Sequence, residues 1–444
     1  MHVSCAASLW WSQPHHQWTF DPTRVRLDEA QGIATNSKSS GIMSTTITLS
    51  MSRRFSFRKQ ILSGGALAFA GLLAMTGCPS KEGDTPSGAD AGSTGGSGGV
   101  AFTNPPSSDG RGVWVGMIGT VASVYDSGLL RINPDTYAVE AKWDSSQLPT
   151  ATTPEGLPEI DTPRTLVACG DALWIGNLSR TVTRVDIREN RVTDSLVLTR
   201  GMDIGACFGD ALWGFHINGP GPGPGLNRVD MATRKETADV PVTTHITALV
   251  GRGNELWVGN YFSISERNVV TGEETGRGIS LVEVQVPGEA DERPMMTLGM
   301  ASDGVSLWAL GSSEKNDVSE SLLVRVDVTT GAKTQVVKLG GETLSDNQVI
   351  LGDVPAVAAA GGRIWAVNRA TKTLLGFDMA TGKQIATIPT GKGPSDIAIG
   401  FGKVWVSNRE DTTLLVVDEK TAAVLQTIAL SPFRSPFQLA ITGN

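Results

Sequence analysis

From Val100 onward the chain is a succession of short apolar runs, each led by a Gly-containing turn and most carrying one tryptophan. Runs of this length, bounded by turn residues, predict strands. The cleanest stretch is Ser395 to Leu430. There Asp396-Ile397-Ala398-Ile399 predicts a first strand, Val404-Trp405-Val406 a second, Leu414-Leu415-Val416-Val417 a third, and Val424 to Ile428 a fourth. Four short strands per unit is the pattern of a propeller blade, not of a helical solenoid.

The unit recurs. Trp114, Trp174, Trp213, Trp257, Trp308, Trp365 and Trp405 are spaced by 60, 39, 44, 51, 57 and 40 residues, so about 40 is the repeat and the excess is insertion. A second landmark follows most of them: Arg184-Val185-Asp186, Arg228-Val229-Asp230, Arg325-Val326-Asp327, Gly376-Phe377-Asp378 and Val416-Val417-Asp418. The first unit has Leu130-Arg131-Ile132-Asn133 in that place, and the fourth is expected to use Ser280-Leu281-Val282-Glu283. Asp-x-x-Thr-Gly stretches such as Asp327 to Gly331 and Asp378 to Gly382 predict tight hairpins, since Asp accepts backbone N–H groups and Gly supplies a positive φ. A lone blade leaves both faces of its sheet wet, so each Trp is expected between neighbouring blades.

The C-terminal Ser435 to Ile441 matches the first strand of a unit, with no second strand after it, while the first unit begins at its second strand, Val113-Trp114-Val115. The expected fold is therefore all-β, a seven-bladed β-propeller of four-stranded blades closed by the C-terminal strand completing the first blade. Trp-Val-x-Asn, then Arg-Val-Asp, then Thr-Gly, with Gly-Pro-x-x-Ile/Leu-Ala-Ile before the next Trp, resembles the YVTN and streptogramin lyase-like β-propeller superfamily over residues 110–444. The matching residues are those that build blades, so the resemblance implies a fold and leaves function open.

The segment ahead of the repeats reads as an address. Arg53, Arg54, Arg58 and Lys59 precede an apolar run from Ile61 to Thr76 that ends at Gly77-Cys78, the order of a charged region, a hydrophobic region and a cleavage site. Leu73 to Cys78 resembles a bacterial lipobox, with Met75 in place of the usual Leu, which implies lipidation at Cys78. The expected organisation is 1–50 as unstructured sequence upstream of the true start at Met51 or Met43, 51–77 as lipoprotein signal peptide, 78–109 as flexible Gly/Ser-rich tether and 110–444 as propeller. The expected location is the cell envelope, exported and lipid-anchored. Pro79 after the Cys favours the outer membrane or cell surface, with a periplasm-facing position the alternative.

The 444 residues carry 37 basic and 45 acidic side chains, a net charge of -8. Removing 1–77 takes seven basic and three acidic residues, leaving 30 against 42, a net of -12. This acidity excludes a nucleic-acid footprint and leaves the acyl chains as the means of membrane attachment. No His cluster, calcium loop or nucleophile elbow is present, so no metal, cofactor or catalytic residue is assigned. His216 has no matched acidic partner in sequence. Cys169 and Cys207 fall five and six residues before their Trp residues, which aims them at opposite sheet faces and disfavours a disulfide.

With strands a to d numbered outward from the axis, the b–c and d–a connections share one face. Insertions are expected there: b–c loops at His216 to Leu226, Tyr261 to Ile279 and Gly311 to Ser321, and d–a loops at Asp144 to Asp161, Pro287 to Met296 and Gly340 to Asp353. Arg164, Asp203, His245, Asp353, Asp396 and Gln438, expected just before the inner strands, should ring the channel mouth on that face. The expected function is a monomeric binding or scaffold module for a protein partner or small polar ligand. The alternative is a lyase-like or cofactor-dependent periplasmic enzyme.

Overall fold

The computed structural model describes residues 34–39, 42–47, 109–118, 127–144, 163–177, 180–216, 223–315, 318–340, 356–430 and 435–443. The chain divides into two units, Met1–Thr94 and Gly95–Asn444. In the first, Ala34–Ser39 pairs antiparallel with Ile42–Ile47.

The second unit holds seven four-stranded antiparallel sheets, each with its strands in chain order from the inside outward. Blade 7 is Pro394–Gly400, Lys403–Asn408, Thr413–Asp418 and Val424–Ala429, as its alternation predicts. Blade 1 alone departs from chain order: Pro436–Thr442 is its inner strand, paired with Gly112–Met117, and Gly128–Ile132 and Val139–Asp144 lie outside. The C-terminal strand thus closes the ring, and the Trp114 indole N–H donates to Thr442 Oγ1 at 2.8 Å.

All seven Trp side chains are fully buried, and the apolar core is divided into seven clusters that each straddle a seam between blades. Trp114 packs with Leu173 and Val185 of blade 2, Trp174 with Leu212 and Val229 of blade 3, and Trp213 with Leu256 and Val258 of blade 4. Trp257 meets Leu307 and Val324 of blade 5, Trp308 meets Ile364 and Phe377 of blade 6, Trp365 meets Val404 and Val417 of blade 7, and Trp405 meets Val113 and Ile132 of blade 1. Burying one such ring is worth roughly 4 to 6 kcal/mol as an upper bound.

The Arg of the Arg-Val-Asp landmark stands opposite the Trp across strands b and c in blades 2, 3 and 5. Arg184 reaches Asp171 at 2.8 Å and Arg228 reaches Asp210 at 2.7 Å, so strand c is tied to the a–b turn on one face. The Asp of the landmark opens the c–d turn. Asp378 Oδ1 accepts the Thr381 N–H and hydroxyl, and Asp418 Oδ1 accepts the Thr421 N–H and hydroxyl. All seven c–d turns then place their fifth residue at positive φ: Gly in three, and Tyr137, Asn190, Arg234 and Ala422 in the others. These hydrogen bonds hold the Asp327, Asp378 and Asp418 carboxyls below the ordinary range.

Three expectations are corrected. In blade 4 the third strand is Ser263–Arg267 and the fourth Glu274–Ser280, so its turn is opened by Asn268, not by the Ser280 to Glu283 stretch. The expected b–c loop from Tyr261 to Ile279 is therefore a two-residue turn, Tyr261–Phe262, and the insertion lies in the next d–a connection, where Val284–Gln285 pairs with Glu292–Arg293. The stretch from Gly311 to Ser321 is not a loop but a continuation of blade 5's paired strands Leu307–Lys315 and Val318–Val326.

The third concerns the cysteines, which form a disulfide, Cys169–Cys207, with Cα atoms 5.5 Å apart. Cys169 pairs with Ala172 and so shares the Trp174 face, while Cys207 pairs with Leu212 on the face opposite Trp213. The two cysteines thus face opposite sides of their own sheets, as their spacing predicts. The Trp face of blade 2 and the non-Trp face of blade 3 are the two that meet at one seam.

Candidate functional site

Inner strands of the blades surround a cavity of about 240 Å³ on the ring axis. Of the predicted mouth residues, Asp203, Asp396 and Gln438 line it, together with Thr165 and Thr247. Arg164 lies in the blade 2 inner strand beside Thr165 but is not on the cavity wall. His245 also stands off the wall, half-buried with its ring centroid 5.4 Å from that of Tyr261, and burial lowers its pKa from 6.5, which leaves it neutral at pH 7. Asp353 and Cys78 lie outside the described residues.

Asp396 is the most perturbed group of the wall. Its Oδ2 accepts the Leu439 N–H at 2.7 Å and its Oδ1 the Ile397 N–H at 2.8 Å, so one carboxyl clasps blade 7 to the closing strand. Beside it, Ser395 Oγ donates to the Pro436 carbonyl at 3.2 Å and lies 2.8 Å from Ser407 Oγ, while the Asp396 N–H donates to Ser407 Oγ. Protein encloses the carboxyl on every side except the cavity, and this desolvation, outweighing the two backbone donors, pushes its pKa up to about 7.

Asp203 brings in a residue that sequence reasoning set aside. Its Oδ2 lies 2.9 Å from His216 Nδ1, and His216 is only 1% exposed. The end of strand b carries Asn177, Asn260, Asn368 and Asn408 in blades 2, 4, 6 and 7, and three of these donate to hydroxyls across the b–c turn. His216 is what blade 3 has in that place. That substitution within the repeat was the available signal for the pair. The blade 3 inner strand begins just after Asp203, whose N–H donates to the Phe215 carbonyl at 2.8 Å, so the acid and the imidazole are held by adjacent backbone.

The wall therefore presents two carboxyl groups, an amide and hydroxyls, with Leu and Ala between them, and this suits a small polar or cationic ligand. Among the described residues, no three His, Cys, Asp or Glu side chains converge as metal ligands do.

No family model matches the chain, and no curated protein sequence matches it either. Solved structures do resemble it. BamB from Moraxella catarrhalis is 13% identical, with 77% of this chain and 90% of that chain covered at a TM-score of 0.44. Apo AztD from Citrobacter koseri is 9% identical, with 74% and 98% covered at 0.44. The computationally designed Ika8 protein is 13% identical, with 75% and 93% covered at 0.47. At such identities the likeness concerns architecture alone.

Proposed function

We propose that the chain is an exported lipoprotein, anchored through Cys78, whose propeller is a monomeric binding and scaffold module for a protein partner or small polar ligand. The observation that carries this reading is the contrast between the two ends of the ring. On one end the c–d turns keep one short form in all seven blades. On the other, connections run from the two residues Tyr261–Phe262 to the 281–295 stretch with its own strand pair, and the predicted mouth residues Asp203, Asp396 and Gln438 line the axial cavity. Variable connections on a rigid scaffold are where recognition sits. The disulfide fits an oxidising compartment and so supports export.

The enzyme reading has one observation in its favour, the His216–Asp203 pair. Its imidazole is sealed from solvent, which leaves it a poor acid–base group for a bound substrate and a good hydrogen-bonded strut.

Two measurements test the proposal. Mass spectrometry of the mature protein should find Cys78 as a lipidated N-terminus, and Cys78→Ser should accumulate precursor; residues upstream of Cys78 in the mature wild type would refute the anchor. For binding, proteins captured from an envelope extract should be lost with Asp203→Asn plus Asp396→Asn and retained with Asp327→Asn plus Asp378→Asn. The reverse pattern would place the site on the other face.

A further inference from the structure

We infer that the loop face of blades 4 and 5 docks a polypeptide segment of a partner protein in which aromatic or aliphatic side chains alternate with Lys and Arg. This deepens the loop-face reading and rests on it.

Phe262 stands at the tip of the blade 4 b–c turn, 47% exposed, where a turn ordinarily carries a polar residue. Beside it Val282 is 52% exposed, and Val318 at the end of the blade 5 hairpin is 54% exposed. Tyr261 continues the apolar surface inward, its ring 6.5 Å from Phe262 and 5.4 Å from His245. The surface is held stiffly. The Leu281 N–H donates to the Phe262 carbonyl at 2.8 Å, the Thr297 N–H to the Tyr261 carbonyl at 2.6 Å, and the Met295 N–H to the Leu281 carbonyl at 2.8 Å. An aromatic presented on so fixed a frame loses little entropy on binding, which is the character of an interface anchor.

The charges around it are arranged with one sign outward. Arg293, Lys315 and Lys338 converge on Glu289 at 3.3, 3.1 and 2.5 Å, and Arg293 also pairs with Glu320. The local cations are thereby engaged within the fold. Glu283, Asp291, Glu292 and Glu314, on the same insertion and hairpin, are exposed and form no ion pair among the described residues. An apolar centre with a rim of unneutralised carboxylates selects a segment bearing both apolar and cationic side chains. Anionic lipid and nucleic acid are repelled by that rim. A second copy of this chain would set the same carboxylates against each other across a two-fold axis. The other exposed large aliphatics among the described residues, such as Val197, Val305 and Leu425, are on outer strands or on the opposite turns.

The test uses the full chain and a fluorescein-labelled synthetic peptide alternating Phe and Lys, with a Phe/Glu peptide and a Ser/Lys peptide as controls, read by fluorescence anisotropy. The Phe/Lys peptide should bind best. Phe262→Ser with Val282→Ser should weaken it at least about tenfold, and Glu283→Gln with Glu292→Gln and Glu314→Gln should weaken it and flatten its salt dependence. These residues are exposed, so unchanged melting curves confirm that the variants fold. Equal binding of the Phe/Glu peptide, or binding indifferent to both variants, would overturn the inference. A concentration-dependent dimer abolished by Phe262→Ser would also overturn it, in favour of a second copy. If binding survives the patch variants but falls with Asp203→Asn and Asp396→Asn, the patch fails while the loop-face reading stands. If it falls only with Asp327→Asn and Asp378→Asn, both fail.

Discussion

Replacing Asp396 with Asn should change how stability depends on pH, and the size of the change follows from the seam it occupies. In the unfolded chain this carboxyl titrates at the ordinary value of 3.8, whereas burial pushes it up to about 7 in the fold. A folded pKa above the unfolded one means that the native state holds the proton more tightly. The resulting stabilisation is complete below 3.8 and is lost as pH rises through 7. Each unit of difference is worth about 1.4 kcal/mol, so the wild type should lose roughly 2 kcal/mol between pH 5 and pH 7 through this group. His245 has the opposite sign, because its pKa is lowered by burial and its contribution falls as pH drops below 6.5. Subtracting the Asp396→Asn curve from the wild-type curve at each pH removes the His245 contribution and any constant cost of the lost acceptor. Urea unfolding followed by emission of the seven buried tryptophans supplies the two curves. Wild-type and variant midpoints that run parallel from pH 5 to pH 7.5 would refute the desolvation argument.

Deleting residues 435–444 removes the inner strand of blade 1 with its buried Phe437, Leu439 and Ala440 and leaves the Trp114 strand with an unpaired edge, so the melting temperature should drop sharply; an unchanged melt would contradict ring closure. Cys169→Ser with Cys207→Ser opens a link between residues 38 apart in sequence, and loop entropy sets the loss at about 4 kcal/mol, read as a lower urea midpoint than that of the oxidised wild type. Gly376→Ala would place a methyl 2.9 Å from the Trp365 ring and should cost about 1 to 3 kcal/mol, measured the same way. Arg234→Gly relieves a positive φ of 55° at an exposed turn position and should raise stability by about 0.5 kcal/mol after the entropy cost of Gly.

The ring was legible because its tryptophans recur at a period no other element shares, and because Ser435 to Ile441 is visibly a strand with a missing partner. Blade 4 was misread for a related reason. Ser280 to Leu281 looks like the apolar landmark of a third strand, whereas the true one, Ser265-Glu266-Arg267-Asn268, is more polar. At the site, position along the strand was enough to place Asp203, Asp396 and Gln438 on the cavity. It could not tell that Arg164, one residue before the wall position Thr165, and His245, two before Thr247 and just ahead of its strand, stand off the wall. The disulfide and the His216–Asp203 pair both depend on how neighbouring chain segments face each other, which a pattern read along one strand does not contain.

The closing strand also sets a clock. Trp114 and Thr442, joined by a hydrogen bond, are 328 residues apart in the chain. At roughly 5 to 20 residues per second, the second strand of blade 1 emerges from the ribosome about 15 to 65 seconds before its inner partner exists. Throughout that interval the first blade has three strands and the ring has no last seam, so its tryptophans cannot all be sealed. A ring whose last seam is made by its C-terminal strand therefore stays open, its first blade unfinished, until that strand has been synthesised.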